Sequence, residues 1–149
     1  MKHIVAHTPA TATAAIQADA QNLTHIDLSA NAVLSLNLPK LLPPIFQALA
    51  NNTHLTSLNL ANVGIADVSN LAAVLPTQRS LAVLNLDKNR IANEGAIALA
   101  SALAQNRHLM LLSLANQTAS SRLGDATLKA FLAMFDTNVT LLKIVWRLE

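Results

Sequence analysis

Short aliphatic phrases return along the chain at nearly even intervals. LTHIDLSAN occupies 23–31, LTSLNL 55–60, LAVLNLDKN 81–89 and LMLLSLAN 109–116, with a degraded VTLLKI at 139–144. Their starts lie 32, 26, 28 and 30 residues apart. Aliphatic side chains at the first, fourth and sixth positions suit a short strand with one face turned inward. Between the phrases the apolar spacing becomes helical. Residues 8–22 predict a first helix, capped by Thr8, with Pro9 in its first turn and Ala12, Ala15, Ile16 and Ala20 turned inward. Pro43 and Pro44 predict the opening of a second helix over 45–50. A third starts at the cap Asp67, carries Val68, Leu71, Ala72 and Leu75, and stops at Pro76. A fourth, capped by Asn93, gathers Ile97, Leu99, Ala100, Leu103 and Ala104 on one face. The last begins at Asp125 and buries Leu128, Phe131, Leu132 and Phe135.

One strand and one helix in each 26–32 residues is the spacing of a leucine-rich repeat. A single repeat cannot bury its own apolar face, so the copies must stack. The fold expected is an α/β, right-handed leucine-rich repeat solenoid. Its parallel sheet of about five strands lines the concave face, and its helices cover the convex face. Residues 1–149 read as one domain, with 8–22 as an N-terminal capping helix and 23–149 as repeats. Asn52, Gln78, Asn106 and Asp136 each precede the next aliphatic phrase by three residues. Such polar side chains are placed to satisfy open backbone groups at the end of the preceding helix.

Strand alternation then assigns two columns to the concave face. One holds His25, Ser57, Val83, Leu111 and Leu141, and the other Asp27, Asn59, Asn85, Ser113 and Lys143. The first column turns from polar to apolar toward the C-terminus, with Met110 and Trp146 beside its apolar half. Val83, Met110, Leu111, Leu141 and Trp146 are therefore candidate protein-binding residues. Leu111, Leu141 and Trp146 also suit a plug that closes the open end of the stack.

Composition narrows the picture. Apolar residues make up 52% of the chain and aromatics 3%, so the core is built from Leu, Ala, Val and Ile, side chains that fill layers of one size. A net charge of +2 gives no basis for binding nucleic acid or an acidic membrane surface. No apolar run is long enough to predict a membrane span, and the N-terminal MKHIVAH is too short in apolar residues for a secretory signal. The absence of Cys leans toward a cytoplasmic setting, because extracellular repeat proteins usually carry disulfide-bonded caps. The N-x-T triplets at Asn22, Asn51, Asn116 and Asn138 read as strand-edge polar residues there, not glycan acceptors.

Nothing in the sequence predicts an enzyme, a metal site or a cofactor. His54 and His108 recur at one repeat position, which marks a structural place. His25 and Asp27 are same-face neighbours on a strand without a third partner, and His3 and His7 precede the first helix without a carboxylate cluster. Gly64, Gly95 and Gly124 sit at loop-to-helix transitions and belong to no phosphate loop.

The aligned repeats resemble the C-terminal leucine-rich repeat domain of the tropomodulins and leiomodins. The resemblance rests on PIFQALANNTHL at 44–55, on LAVLNLDKNRI at 81–91 with Gly95, and above all on LANQ at 114–117 followed by an irregular loop and Leu123-Gly124. It covers roughly residues 12–147. What it implies is a non-catalytic, cytoskeletal, protein-binding module with actin as a partner. Counterparts of the family's N-terminal half and of its last helix are missing, which implies weak binding to actin filaments. The loops at 62–66, 88–93 and 116–122 then become the expected contact edge, with Lys88, Arg90 and Arg122 meeting an acidic partner. Asn89 and Asn116 are expected to bond turn backbone instead. The alternative is a general adaptor or inhibitor of the ribonuclease-inhibitor type with a partner other than actin. An uncovered last strand and an exposed Trp146 also predict self-association through the C-terminal end of the stack, unless 147–149 fold back as a small cap.

Overall fold

The computed structural model describes residues 7–119 and 122–146. In chain order it contains α1 (Pro9–Gln17), β1 (His25–Asp27), α2 (Ala32–Leu36), α3 (Leu38–Leu49), β2 (Ser57–Asn59), α4 (Ser69–Val74), β3 (Val83–Asn85), α5 (Asn93–Leu103), β4 (Leu111–Ser113), α6 (Asp125–Phe135) and β5 (Lys143–Val145). The five strands form one parallel sheet in chain order. Ile26, Leu58, Leu84, Leu112 and Ile144 stand in register across it. The helices pack in the same succession, α1 on α3, α3 on α4, α4 on α5 and α5 on α6. The core between sheet and helices is aliphatic, with Phe46 and Phe131 as its large members.

The last coil differs from the expected one by two residues. Lys143, not Leu141, stands beside Leu111, and Val145 stands beside Ser113. The repeated phrase therefore starts at Leu141 and reads inward through Leu141, Ile144 and Trp146. Leu141 is 4% exposed and belongs to the core, so it is not a surface contact. Trp146 is half-buried and meets Phe131 edge-on, ring centroids 4.9 Å apart. It packs the end of the stack and does not stand open to solvent. The expected fold-back of 147–149 lies outside the described residues, as does His3.

A row of buried amides explains the shift. Asn52, Gln78, Asn106 and Asn138 each stand three residues before the first inward leucine of a coil. In each, the carboxamide oxygen accepts two backbone N–H groups entering the strand: Leu55 at 2.7 Å, Leu81 at 2.7 Å, Leu109 at 2.8 Å and Leu141 at 3.0 Å mark the series. The amide nitrogen reaches back one coil. Asn106 donates to the carbonyls of Leu75 (2.6 Å) and Gln78 (3.2 Å), and Asn138 to those of Leu103 (2.6 Å) and Asn106 (3.0 Å). The open carbonyls at each helix end are thus satisfied by the following coil. Asn138 holds this place in the last coil. Asp136, the residue expected there, is exposed at the end of α6.

Other local expectations change for identifiable reasons. Pro39 opens α3, and Pro43 and Pro44 lie inside it. Lacking N–H groups, they cannot donate to the carbonyls four residues back, on Pro39 and Lys40, and both of those residues are exposed, where water can replace the lost bonds. Asp67 caps no helix side-on but accepts the N–H of Ser69 at 2.8 Å just before α4. The cap of α5 is Ala92; Asn93 is its first residue, and the side chain ties forward to the Gly124 N–H (3.1 Å) and the Thr127 hydroxyl (2.7 Å). Gly95 permits α5 to approach α4's entry closely, since a Cβ there would stand 3.1 Å from Ile91 and 3.2 Å from Val68. On α6, Thr127, Phe131 and Met134 are the buried residues, while Leu132 and Phe135 face outward.

α1 is capped by Thr8 and ends at Gln17, short of residue 22. Past its end, Asp19 adopts φ 47° and brings its carboxylate to Thr53 and His54 of the next coil. It accepts the Thr53 hydroxyl and N–H, both at 2.7 Å, and meets His54 Nδ1 at 3.0 Å. These bonds, led by the Thr53 hydroxyl, hold the carboxyl at about 2, below its ordinary 3.8. A lowered folded value means that the link is complete above the ordinary value and is lost as pH falls through the folded one. Urea midpoints measured from about pH 5 down to about pH 2 should therefore fall more steeply for the wild type than for Asp19→Asn; parallel curves would refute the link.

Candidate functional site

The loops leaving the C-terminal ends of the strands form one knitted edge. Ala30, Asn62, Lys88 and Asn116 occupy the same place after β1, β2, β3 and β4, and all four are left-handed, with φ of 51°, 56°, 54° and 56°. In the first three this conformation sends the N–H to the next coil: Ala30 to the Ala61 carbonyl (2.8 Å), Asn62 to that of Asp87 (2.8 Å) and Lys88 to that of Ala115 (2.9 Å). Asparagine tolerates it better than other non-glycine residues. Ala30→Asn should accordingly stabilise the fold by about 0.5–1 kcal/mol, read as a higher urea midpoint. A midpoint that falls would show that strain at this turn is already relieved elsewhere.

Asn89 locks the centre of this edge. It is wholly buried, and its oxygen accepts the N–H groups of Val63 (3.2 Å), Gly64 (2.9 Å) and Ile65 (3.0 Å). Its nitrogen donates to the carbonyls of Leu60 and Leu86, both at 2.9 Å. Gln117 repeats the motif one coil on, donating to the Leu86 carbonyl (2.8 Å) and accepting the Ile91 N–H (3.1 Å). Thr118 adds bonds from its N–H and hydroxyl to the Asn89 carbonyl. Asn89 thus serves turn backbone, as expected. Asn116 is exposed, and its contribution is its backbone conformation.

Lys88 and Arg90 project from this fixed loop, both exposed, and the Arg90 N–H is held by the Ile65 carbonyl at 2.7 Å. Arg122 is exposed on the neighbouring loop before α6. The candidate apolar residues lie elsewhere. Val83 and Leu111 adjoin in register on the open face of the sheet, half-buried, and the column continues to Lys143. Met110 is exposed at the opposite ends of the strands. Its carbonyl accepts the N–H of Leu142, which is also exposed. The structure therefore separates the candidates into a cationic loop edge and a small apolar patch in which Leu142 replaces Leu141.

The second strand column is occupied internally. Asp27, Asn59 and Asn85 each accept the N–H two residues on, at 2.8, 3.1 and 2.9 Å, and close the turn after the strand. Asp87 accepts both the Ser113 hydroxyl (2.5 Å) and the Ala115 N–H (2.8 Å). Gln117 and Thr118 are the positions that sequence reasoning passed over as tethers. The signal available was the 28-residue offset that aligns Gln117 with Asn89. Among the described residues no group of three or more His, Asp or Glu is arranged to hold a metal ion. No described helix is long and apolar enough to cross a membrane.

The profile of the TMOD/LMOD leucine-rich domain matches residues 10–149. The chain belongs to the TMOD/LMOD leucine-rich domain family. Leiomodin-3 of Mus musculus is 34% identical over 117 residues, and leiomodin-3 of Homo sapiens 32% identical over 116. Each alignment takes in 76% of this chain but 20% of the relative, so the chain spans about one fifth of the length of these curated relatives. Among solved structures, the leiomodin-1 actin-binding site 2 superposes with a TM-score of 0.83 at 26% identity, over 93% of this chain and 78% of the other. The tropomodulin C-terminal domain of Caenorhabditis elegans superposes with a TM-score of 0.84 at 20% identity, over 95% and 83%, a likeness of fold. The TMOD/LMOD fold is thus the leucine-rich repeat architecture that the aliphatic phrases predict.

Proposed function

We propose that this TMOD/LMOD domain is a non-catalytic protein-binding module that contacts actin through the loop edge at the C-terminal strand ends, in a cytoplasmic, cytoskeletal setting. The observation that carries the reading is the likeness to the leiomodin-1 actin-binding site 2 over nearly the whole chain. The loop edge supports it physically. Its backbone is cross-bonded from coil to coil, so Lys88 and Arg90 are presented with little ordering cost on binding. Arg122 extends the same cationic edge. The affinity proposed is weak.

Co-sedimentation with actin filaments, paired with a pointed-end depolymerisation assay, tests the proposal. Binding at tens of micromolar is expected, weakened at least about fivefold in Lys88→Glu/Arg90→Glu. No binding, or binding indifferent to the charge reversal, would leave the family fold without this activity. The exposed Met110 and Leu142 beside Leu111 favour a second reading, an adaptor or inhibitor that takes a non-actin protein on the open sheet face. Met110→Ala/Leu111→Ala separates the two, since it should abolish capture by the sheet face and leave loop-mediated actin binding intact.

A further inference from the structure

A groove of about 360 Å³ opens between the start of α3 and the loop that leads to α4, a size that suits a ligand group. Its apolar lining comes from Leu38, Leu42 and Phe46 of α3 and from Ile65 of the loop. Gly64 keeps it open. At the 26-residue offset that aligns β2 with β3, Gly64 stands where the next coil has Arg90. A Cβ on Gly64 would lie 3.7 Å from the Leu38 Cδ1 and 3.8 Å from the Ser35 Oγ, between two lining residues, so a side chain there would fill the groove. The φ of 89° at this position also favours glycine.

The polar groups at the groove are chiefly acceptors. Asp67 is the one charged residue that lines it among the described residues. Its carboxylate is exposed and accepts the Ser69 N–H at 2.8 Å, a bond that holds the carboxyl below its ordinary 3.8. Among the described residues it has no cationic partner. Pro39 and Pro43 both line the groove, and Pro43 has no N–H for the Pro39 carbonyl four residues back. Ser35 and Asn70 can accept as well as donate. An acceptor-rich rim over an apolar trough complements a donor carried on an apolar stem, which is how Lys and Arg side chains are built. The short α2 that supplies Ser35 also exposes Val33 and Leu36, at 58% and 83%, an apolar margin that a polypeptide can cover and a small ion cannot.

We infer that this groove is a docking site for a protein segment in which a Lys or Arg is flanked by aliphatic residues. The aliphatic stem lies along Leu38, Leu42 and Ile65, and the cationic head meets Asp67. The site adjoins the loop edge, because the Ile65 carbonyl holds the Arg90 N–H at 2.7 Å. Asp67 therefore stands one coil from Lys88 and Arg90 with the opposite sign. A partner that spans both must show a basic and an acidic group in a fixed order, which sets its orientation. The groove rests on its own lining and charge and does not depend on the actin reading.

Titration of the isotope-labelled 149-residue chain with an acetylated, amidated Leu-Arg-Leu peptide, followed by backbone amide NMR shifts, tests this. Shifts gathered at Gly64, Ala66, Asp67 and Asn70 are expected, half-saturating at about 1 mM. The same peptide with citrulline in place of arginine should bind about threefold or more weakly. Asp67→Asn should weaken the arginine peptide as much, since its amide oxygen still accepts the Ser69 N–H and only the charge is lost. Ala66→Trp and Ser35→Tyr, both at exposed positions on the groove, should each weaken binding at least about tenfold without moving the thermal melt. Asp67→Lys should reverse the preference, taking Leu-Glu-Leu over Leu-Arg-Leu. Shifts absent from these amides up to about 10 mM, equal binding of the citrulline peptide, or binding unmoved by both blocking variants would overturn the inference.

Discussion

Asn89→Ala should cost the fold about 3–4 kcal/mol, a large share of the stability of a domain this size. The side chain is wholly buried and completes hydrogen bonds to three N–H groups and two carbonyls drawn from two coils. Alanine removes the bonds but leaves most of these backbone groups away from water, and an unsatisfied buried group costs about 1–3 kcal/mol before the loops relax. Asn89→Asp should also destabilise, since the carboxylate keeps the acceptor but faces the Leu60 and Leu86 carbonyls without a proton to give. Urea denaturation of both variants measures this. A loss under about 1 kcal/mol for Asn89→Ala would mean that water or a shifted loop replaces the amide. Because Asn89 fixes the loop that carries Arg90, the same variant should loosen any ligand bound at that edge.

Leu84→Ala is expected to cost about 2–5 kcal/mol. Leu84 is wholly buried and stands in the middle strand, between Leu58 and Leu112 in register. Truncation leaves a hole that neighbouring rows cannot close without breaking their own register. A paired control tests the last coil: Leu141→Ala should cost about 2–4 kcal/mol, and Leu142→Ala within about 0.5 kcal/mol. The reverse order would show that the last strand is set two residues earlier.

Much of this was legible because the stack has a period. Four of the five strands follow the leucines, since an aliphatic residue at each inward position leaves a strand only one way to face. The fifth misleads because Ile144 and Trp146 stand where leucines do elsewhere, while Leu141 and Leu142 offer two plausible phases. The polar marker was the safer guide. A buried carboxamide both donates and accepts, which Asp136 cannot do, and Asn138 alone supplies it at the right distance from Leu141. Leu132 and Phe135 were expected inside because hydrophobicity says what a side chain prefers, not whether a neighbour is there to cover it. The cationic edge was readable as loops on a scaffold. Its cross-bonding was not, because the left-handed turn at Ala30 and Lys88 has no compositional signature, unlike the one at Asn62 and Asn116.

The row of carboxamides has a bearing on how the molecule melts. Every such group holds the exit of one coil and the entrance of the next, so no coil can open without orphaning polar atoms in its neighbour. Loss of order at any one point is therefore expected to spread along the whole array in a single sharp transition, although the helices pack mainly on their neighbours in the succession.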